Sequence, residues 1–184
     1  AQGTEISAIG IGAMSFSNFY GATDETQSHA ILSAALDEGV THIDTANVYG
    51  MGTSETVIGT FLANQGKRRN DLFSIASKAG IARRKELGER YFDNSLAYLE
   101  AELDKTLARL GVDIIDVYYI HRRDAAIPIE EVSETLAGFI KAGKIKSFGF
   151  SEIAPTSLAR ANVIHPVAAV QSEYSLSVRS PEMG

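Results

Sequence analysis

Six short apolar runs, separated by stretches with helical spacing, constrain the fold of this chain most strongly. The run at residues 114–120 is apolar almost throughout, as expected of a strand that is covered on both faces. In the stretch 92–110, leucines recur at three and four residues, which predicts an amphipathic helix. Strands that alternate with helices in this way indicate a parallel β/α architecture.

The predicted elements follow one another without a low-complexity linker, so we expect residues 1–184 to form a single domain. The predicted strands are 6–11, 40–43, 72–77, 114–120, 144–150 and 167–170. The predicted helices are 24–38, 54–62, 92–110, 129–141 and 155–162. Thr23 or Asp24 is the expected N-cap of the first helix, and Ser54 is expected to open the second.

The pattern favours one kind of β/α fold over another. No Gly-x-Gly-x-x-Gly segment follows the first strand, which disfavours a doubly wound dinucleotide fold. The preferred class is therefore α/β, a (β/α)8 TIM barrel of which about six β/α units are present. Such a barrel usually takes about 250 residues, and an open set of six strands leaves unpaired edges. We therefore expect the chain to be part of a longer protein.

The composition excludes several classes of function. A formal net charge of -6 gives no basic surface for nucleic acid or for an anionic membrane. The chain has no cysteine, hence no disulfide and no thiolate metal site, and no two histidines have metal-ligand spacing. Without a visible secretory signal or a long apolar segment, we expect a soluble, cytoplasmic protein without a metal.

Four polar residues stand at or just after the ends of predicted strands. Asp44 and Tyr49 follow the second strand, Lys78 follows the third and His121 follows the fourth. Because the carboxyl ends of parallel strands open onto one face of a β/α fold, these side chains are predicted to meet in space. That arrangement is typical of an enzyme.

The spacing of these residues resembles that of the aldo-keto reductases. The matching segments, in chain order, are Asp44-Thr-Ala-x-x-Tyr49-Gly50, Ser54-Glu55-x-x-Ile58-Gly59, Lys78, Asp116-x-x-x-x-His121, Gly149-Phe-Ser151-Glu152 and Val170-Gln171-Ser-Glu-Tyr174. The resemblance covers essentially the whole chain. It implies a (β/α)8 barrel that reduces aldehydes or ketones, its small-molecule substrates, with NADPH, less often with NADH, and without a metal.

The resemblance also implies which residues bind the cofactor. They are expected at six positions: Met14, Asp44, Ser151, Glu152, Gln171 and Tyr174. Many members carry Asn after the serine that ends the fifth strand, whereas this chain has Glu152, so the carboxamide contact is expected to depend on Ser151 and Gln171. An aromatic residue after strand seven and a basic segment near strand eight, which the family uses for the cofactor, have no counterpart in residues 1–184.

The four strand-end residues suit proton transfer to a carbonyl oxygen. A phenol, with an ordinary pKa of about 10, is a weak acid unless a nearby cation stabilises the phenolate. Tyr49 is therefore the expected general acid, and Lys78 is expected to lower its pKa. Asp44 would anchor and neutralise Lys78, and neutral His121 would donate a hydrogen bond that orients the substrate carbonyl.

Two other functions use the same residues. The chain could be a nucleotide-binding regulatory or sensory subunit without significant turnover, as in the ion-channel β subunits of this family. Alternatively, Lys78 could be the Schiff-base nucleophile of an aldolase-type barrel, although Asp44 and Tyr49 would then lack a role.

The remaining polar residues are expected to be structural or solvated. His42 is expected to be structural, and His29 and His165 to lie on the surface or in loops. Arg122 could line the mouth of a substrate site, but a solvated loop is the default interpretation. The basic runs 67–69 and 83–85 are expected to be solvated.

Overall fold

The computed structural model describes residues 5–66, 71–83 and 88–183. Its strands are β1 (Ile11–Gly12), β2 (His42–Asp44), β3 (Ser74–Ala79), β4 (Ile81–Arg83), β5 (Arg90–Phe92), β6 (Ile115–Ile120), β7 (Ile145–Ser151) and β8 (Ala169–Gln171). Its helices are α1 (Glu25–Asp37), α2 (Thr53–Ala63), α3 (Leu96–Leu110), α4 (Ile129–Lys141) and α5 (Pro155–Ile164). Short 3₁₀ turns occupy Ala13–Ser17, Tyr49–Gly52 and Ser180–Glu182.

Six strands form one parallel sheet in the order β1-β2-β3-β6-β7-β8. Every neighbouring pair in this sheet is parallel, and the six strands follow the order of the six predicted runs. The prediction of an α/β fold built from about six β/α units is therefore confirmed. The strands β4 and β5 form a separate antiparallel hairpin that the sequence analysis does not predict.

The sheet curls into part of a barrel. Gln171 on β8 donates a hydrogen bond of 3.0 Å from Nε2 to Oδ2 of Asp44 on β2, although three strands separate β8 from β2 in the sheet. In a flat sheet these two strands would lie roughly 19 Å apart, at about 4.8 Å a strand. The side chains meet because the sheet bends round, as it does in a (β/α)8 barrel.

Apolar packing fills both faces of the curled sheet. The larger cluster lies between the strands and the helices and includes Ile43, Ile75, Tyr118 and Phe148. A small inner cluster of Ala76, Val117 and Tyr119 fills the concave face. Since successive strand residues point to opposite faces, Lys78 points to the concave face, the same face as Ala76, two residues earlier.

At two helices, a polar N-cap rather than the apolar spacing determines the residue at which the helix begins. Asp24 caps α1, accepting a 2.7 Å hydrogen bond from the backbone of Gln27. The helix predicted to start at residue 92 instead starts at Leu96, because Ser95 accepts a hydrogen bond from the backbone of Tyr98 and acts as the N-cap. Phe92 belongs to the hairpin strand β5.

Other predicted boundaries are shifted by shorter distances. The first strand contains only Ile11–Gly12 rather than residues 6–11. The second helix starts at Thr53, after Gly52, and the hydroxyl of Ser54 bonds instead to the carbonyl of Ala13, at 2.7 Å. In the described parts of the chain, no helix combines the length and the apolar character needed to cross a membrane.

Close contact between α2 and α3 gives a prediction about stability. A Cβ atom at Gly59 would lie 2.0 Å from the carbonyl oxygen of Arg109, so any side chain there forces the two helices apart. Gly59→Ala is expected to lower the free energy of unfolding by about 1–3 kcal/mol. The measurement is equilibrium unfolding in urea, followed by circular dichroism.

Gly138→Ala is the matched control, because Gly138 also lies inside a helix, α4, and a Cβ there meets no atom within 4 Å. Alanine in a helix interior is more stable than glycine, so this variant is expected to gain about 0.5–1 kcal/mol. Equal effects of the two substitutions would contradict the close helix contact.

Candidate active site

The predicted residues meet at one end of the sheet. Asp44 is the last residue of β2, Lys78 lies near the end of β3, and His121 directly follows β6. Tyr49 opens the 3₁₀ turn that leads into α2. The carboxyl ends of these parallel strands therefore bring all four side chains together.

The ammonium group of Lys78 is the centre of this cluster. Its side chain is fully buried and its Nζ donates hydrogen bonds to the Asp44 carboxylate, to the carbonyl oxygen of Thr45 at 2.8 Å and to Tyr49 Oη at 3.4 Å. A buried cation needs such partners, because an unpaired one would be costly to remove from water. The same ammonium lies 5.1 Å from the centre of the Tyr49 ring.

Tyr49 is held in place by a tight turn. Gly50 follows it with a φ of 60°, and a Cβ atom there would lie 2.8 Å from the Cβ atoms of Ser17 and Thr53. Only glycine fits both the backbone conformation and the space. The Tyr49 ring packs edge-on against the imidazole of His121, with ring centres 5.8 Å apart.

The pKa of Tyr49 differs from the prediction. It is raised to about 12, first by burial and then by the negative charge of Asp44, with Arg122 acting in the opposite direction. Burial and Asp44 therefore set the pKa of the resting phenol, and the expected stabilisation of its phenolate by Lys78 stays a prediction. The phenol consequently keeps its proton at neutral pH.

The pKa of Lys78 is itself lowered, because burial outweighs the stabilising charge of Asp44. Burial and Asp44 act on this pKa in opposite directions, so the charged form of Lys78 depends on Asp44. A carboxylate at hydrogen-bonding distance favours the charged form of the lysine against burial.

His121 is neutral at physiological pH. Its pKa is lowered to about 3, first by burial and then by the positive charges of Lys78, Arg122 and Arg90. The ring atom Nδ1 is buried without a hydrogen-bond partner, so Nε2 is the ring nitrogen that remains for a ligand in the adjoining cavity. A neutral imidazole can donate one hydrogen bond there.

The low pKa of His121 predicts acid sensitivity. Below pH 6.5 the unfolded chain binds a proton at His121 that the folded chain, with a pKa of about 3, does not bind. Stability therefore falls as the pH drops from 6.5 towards 3, by about 1.4 kcal/mol per pH unit at most from this residue. Between pH 6.5 and 4.5, we expect the free energy of unfolding of His121→Gln to fall by about 2 kcal/mol less than that of the parent. Urea unfolding at the two pH values is the measurement. Parallel losses in both proteins would contradict the assignment.

A cavity of about 590 Å³ adjoins the cluster, within the usual size range of ligand pockets. Tyr49 and His121 line it, as do four of the predicted cofactor residues: Met14, Ser151, Glu152 and Gln171. Asp44 stands behind them, bound to Lys78 and Gln171.

Tyr174 is not brought to this cavity. It is 62% exposed, and its hydroxyl group donates a hydrogen bond to Glu182 in the last 3₁₀ turn. The expectation that Tyr174 contacts the cofactor therefore finds no support in the geometry, because the backbone after β8 turns its ring towards Glu182 instead.

Ser151 and Gln171 are paired across β7 and β8 and offer complementary groups to a carboxamide. Ser151 Oγ accepts a 3.0 Å hydrogen bond from Arg122, which leaves its own hydroxyl hydrogen available. Gln171 uses its Nε2 on Asp44, which leaves its carbonyl oxygen available as an acceptor. These two residues therefore have groups available to an amide ligand, and their expected contact with the nicotinamide carboxamide stays a prediction.

Comparison with known proteins agrees with this geometry. The model of the aldo/keto reductase family matches residues 8–183. The chain belongs to the aldo/keto reductase family. It is 40% identical over 182 residues to aldo-keto reductase yakc of Schizosaccharomyces pombe, whose name specifies NADP(+), and the match covers 97% of this chain and 53% of that protein.

Solved structures of other aldo-keto reductases superpose closely. A glycerol dehydrogenase of Gluconobacter oxydans has a TM-score of 0.87 and 29% identity, over 98% of this chain and 55% of its own. An aldo-keto reductase of Klebsiella pneumoniae, solved in complex with NADPH, has a TM-score of 0.77 and 27% identity, over 96% of this chain and 57% of its own. The chain thus spans little more than half the length of these relatives.

A buried carboxylate, Glu55, connects the elements that carry the site. In the sequence it is noted only as part of the family motif. Glu55 is fully buried and accepts hydrogen bonds from Ser77 at 2.6 Å, from Thr106 at 2.9 Å and from Arg109 Nε at 2.6 Å. These contacts tie α2 to β3 and α3, and thereby fix the turn that carries Tyr49 relative to the strand that carries Lys78.

Arginines of the cavity are functional candidates for which the sequence favours a solvated position. Arg122, for which a solvated loop is the default, lines the cavity and bonds to the His121 carbonyl at 2.6 Å. Arg83 and Arg90, on the hairpin, line it too. The signal in the sequence is a pair of arginines on either side of Gly88, just after the strand that bears Lys78. The runs 67–69 and 84–85 lie outside the described residues.

The other histidines have structural contacts. His42 Nδ1 donates to the carbonyl of Ser74 at 3.0 Å, as a structural residue would. His29 lies in α1 rather than in a loop and is half-buried, donating to the carbonyl of Val57 at 3.0 Å. Over residues 5–66, 71–83 and 88–183, no group of three potential metal-ligating side chains is found.

Proposed function

We propose that this chain carries the reducing site of an NADPH-dependent aldo-keto reductase, with Tyr49 as the proton donor to the carbonyl oxygen of an aldehyde or ketone. The observation that carries the proposal is the buried Lys78 ammonium, shared between Asp44 and Tyr49 beside a neutral His121. Tyr49 and His121 line the cavity that would hold the substrate, and Lys78 and Asp44 lie behind them.

The residues divide the work of proton transfer between them. Tyr49 keeps its proton at neutral pH, so it can give that proton to an oxygen on which negative charge develops. The hydrogen bond from Lys78 Nζ to Tyr49 Oη, 3.4 Å at rest, stabilises the phenolate as it forms. His121 Nε2 holds the carbonyl oxygen next to Tyr49, and Asp44 keeps Lys78 charged.

NADPH is the proposed cofactor, and NADH is the less favoured alternative. The comparisons that support NADPH are the NADP(+) in the name of the yeast relative and the NADPH bound to the Klebsiella pneumoniae structure. NADPH would supply the hydride, and Ser151 and Gln171 would hold its carboxamide through the free hydroxyl and the free amide oxygen. Met14 and Glu152 would border the same end of the cofactor.

The geometry disfavours an aldolase-type function. Lys78 Nζ is fully buried, donates to three oxygen atoms and is not among the residues that line the cavity. A Schiff-base nucleophile must be reachable by its substrate. A regulatory subunit without turnover would retain the same nucleotide contacts, and turnover itself separates that function from the reductase.

Turnover is tested by following the oxidation of NADPH at 340 nm with small, aromatic and sugar-derived aldehydes and with pyridoxal. The assay compares this chain with a longer version, in which the C-terminal part of the yeast relative follows residue 184. We expect the longer version to oxidise NADPH only when a carbonyl compound is present. Binding of NADPH without turnover of any carbonyl would favour the regulatory alternative.

Cofactor binding gives a separate prediction. Titration of NADPH and NADH, followed by nicotinamide fluorescence, is expected to show binding to the longer version and weak or no binding to the 184-residue chain. The reason is that the family's phosphate-binding segment has no counterpart in these residues. Equally tight binding by both proteins would show that residues 1–184 already hold the whole cofactor.

A further inference from the structure

One wall of the cavity carries positive charge that the proposed proton transfer does not use. Arg83 on β4 and Arg90 on β5 are register partners in the antiparallel hairpin. Both line the cavity, and both are exposed. Like charges placed directly opposite each other destabilise a pair of strands. A bound anion would offset the repulsion between the two guanidinium groups.

The described protein supplies no such anion. Among residues 5–66, 71–83 and 88–183, no carboxylate forms an ion pair with either guanidinium. Other exposed arginines differ in this respect, since Arg160 pairs with Glu130 and Arg179 pairs with Glu182, each at 2.7 Å. Within the described residues, no ion pair therefore compensates the charge of the hairpin pair.

A third guanidinium extends the positive charge to the proposed reaction centre. Arg122 lines the same cavity, and its Nη1 is bound to the carbonyl of His121 and to Ser151 Oγ. The charges of Arg122 and Arg90 both contribute to the low pKa of His121, after burial and Lys78. The positive charge of Arg90 on the hairpin therefore acts on the imidazole of His121.

The acidic groups of the cavity lie after other strands. Glu152 follows β7 and Glu173 follows β8, whereas the arginine pair lies on the hairpin after β3. In the sheet, β6 separates β3 from β7 and β8. The Glu152 carboxylate is engaged by the backbone N–H of Glu173 at 2.6 Å. Ser151 and Gln171, the residues proposed for the cofactor carboxamide, end these other strands, so an anion is favoured at the hairpin rather than beside Glu152 and Glu173.

We propose that the carbonyl compound reduced at this site carries a carboxylate or a phosphate, and that Arg83 and Arg90 bind this anionic group. Guanidinium groups match the geometry of carboxylate and phosphate oxygens, and charged hydrogen bonds are the stronger ones. The apolar residues Phe19, Met51 and Ile81 of the same cavity would contact the body of the substrate. This inference rests on the proposed function.

The test is a titration of the 184-residue chain with 4-formylbenzoate and with its neutral methyl ester. Binding is followed by NMR through the side-chain Nε–H signals of the arginines. We expect the carboxylate to shift the signals of Arg83 and Arg90 and to bind more tightly than the ester. In Arg83→Gln/Arg90→Gln, we expect carboxylate affinity to fall about tenfold or more, with ester affinity unchanged.

Lys141→Gln is the control for net charge, because Lys141 is exposed at the end of α4 and does not line the cavity. It is expected to leave both affinities unchanged. Equal affinity of the parent for acid and ester would overturn the proposal, as would full retention of carboxylate binding in the double arginine variant.

Turnover in the longer version separates this inference from the proposed function. We expect the double variant to lose about tenfold in kcat/KM for 4-formylbenzoate, with kcat/KM for the ester within twofold of the parent. If the double variant instead loses affinity for NADPH and not for the carboxylate, the arginines bind a cofactor phosphate and the proposal is wrong. Arginine-dependent carboxylate binding without turnover of either aldehyde would support the anion site and contradict the proposed reaction.

Discussion

Lys78→Met is expected to lower the free energy of unfolding by about 3–5 kcal/mol and to abolish measurable carbonyl reduction. The substitution removes the buried cation that binds Asp44, the Thr45 carbonyl and Tyr49, and it leaves a carboxylate without its partner. Burying an unpaired charge costs far more than losing an exposed ion pair. Urea unfolding at pH 7 measures the first effect, and NADPH oxidation by the longer version measures the second.

The double variant Asp44→Asn/Lys78→Met separates the effect on folding stability from the effect on carbonyl reduction. Without the carboxylate, no unpaired charge remains, so the double variant is expected to regain most of the lost stability. It is not expected to regain turnover, because no cation then stabilises the phenolate of Tyr49. Exposed ion pairs typically contribute less than about 1 kcal/mol to stability. If Lys78→Met lowers the free energy of unfolding by no more than that, the buried ion pair is contradicted.

Tyr49→Phe is expected to reduce kcat by about 100- to 10,000-fold, the usual contribution of a positioned proton donor. The ring still packs against His121, and the lost hydrogen bond to Lys78 is a long one of 3.4 Å. Stability is therefore expected to change little. Steady-state turnover with saturating NADPH and aldehyde measures the effect, and nicotinamide fluorescence checks that NADPH still binds with the parent affinity.

Tyr20→Phe is the matched control for this substitution. Tyr20 follows β1 and is 72% exposed, so it loses the same hydroxyl group without taking part in the hydrogen bonds of Lys78. Its turnover is expected to stay within about twofold of the parent, since substitutions of exposed residues rarely change more than that. A comparable loss of turnover in both variants would remove the special role of Tyr49.

The candidate site could be predicted from the sequence because its residues end strands. Once six parallel strands are recognised, Asp44, Lys78 and His121 must lie on one face, whatever the details of the loops. The structure brings them together as expected. The contact between Gln171 and Asp44, in contrast, depends on how far the sheet curls, and the apolar pattern of single strands does not contain that information.

Other features depend on geometry that a linear pattern does not show. The strands of the β4–β5 hairpin have three residues each, too few for a periodic pattern to predict. The apolar spacing of α3 continues back through Phe92, and the polar cap at Ser95 decides where the helix starts. The pKa of Tyr49 depends on its burial, which the sequence does not give. Tyr174 likewise lies near the site in sequence order but faces Glu182.

Rapid mixing of the preformed NADPH complex of the longer version with aldehyde isolates the proton-transfer step from binding and product release. We expect the single-turnover rate constant of Tyr49→Phe to be about 100-fold or more below that of the parent, with a solvent deuterium isotope effect in the parent. Equal rate constants in the two proteins, at equal occupancy by NADPH, would show that the proton comes from another group.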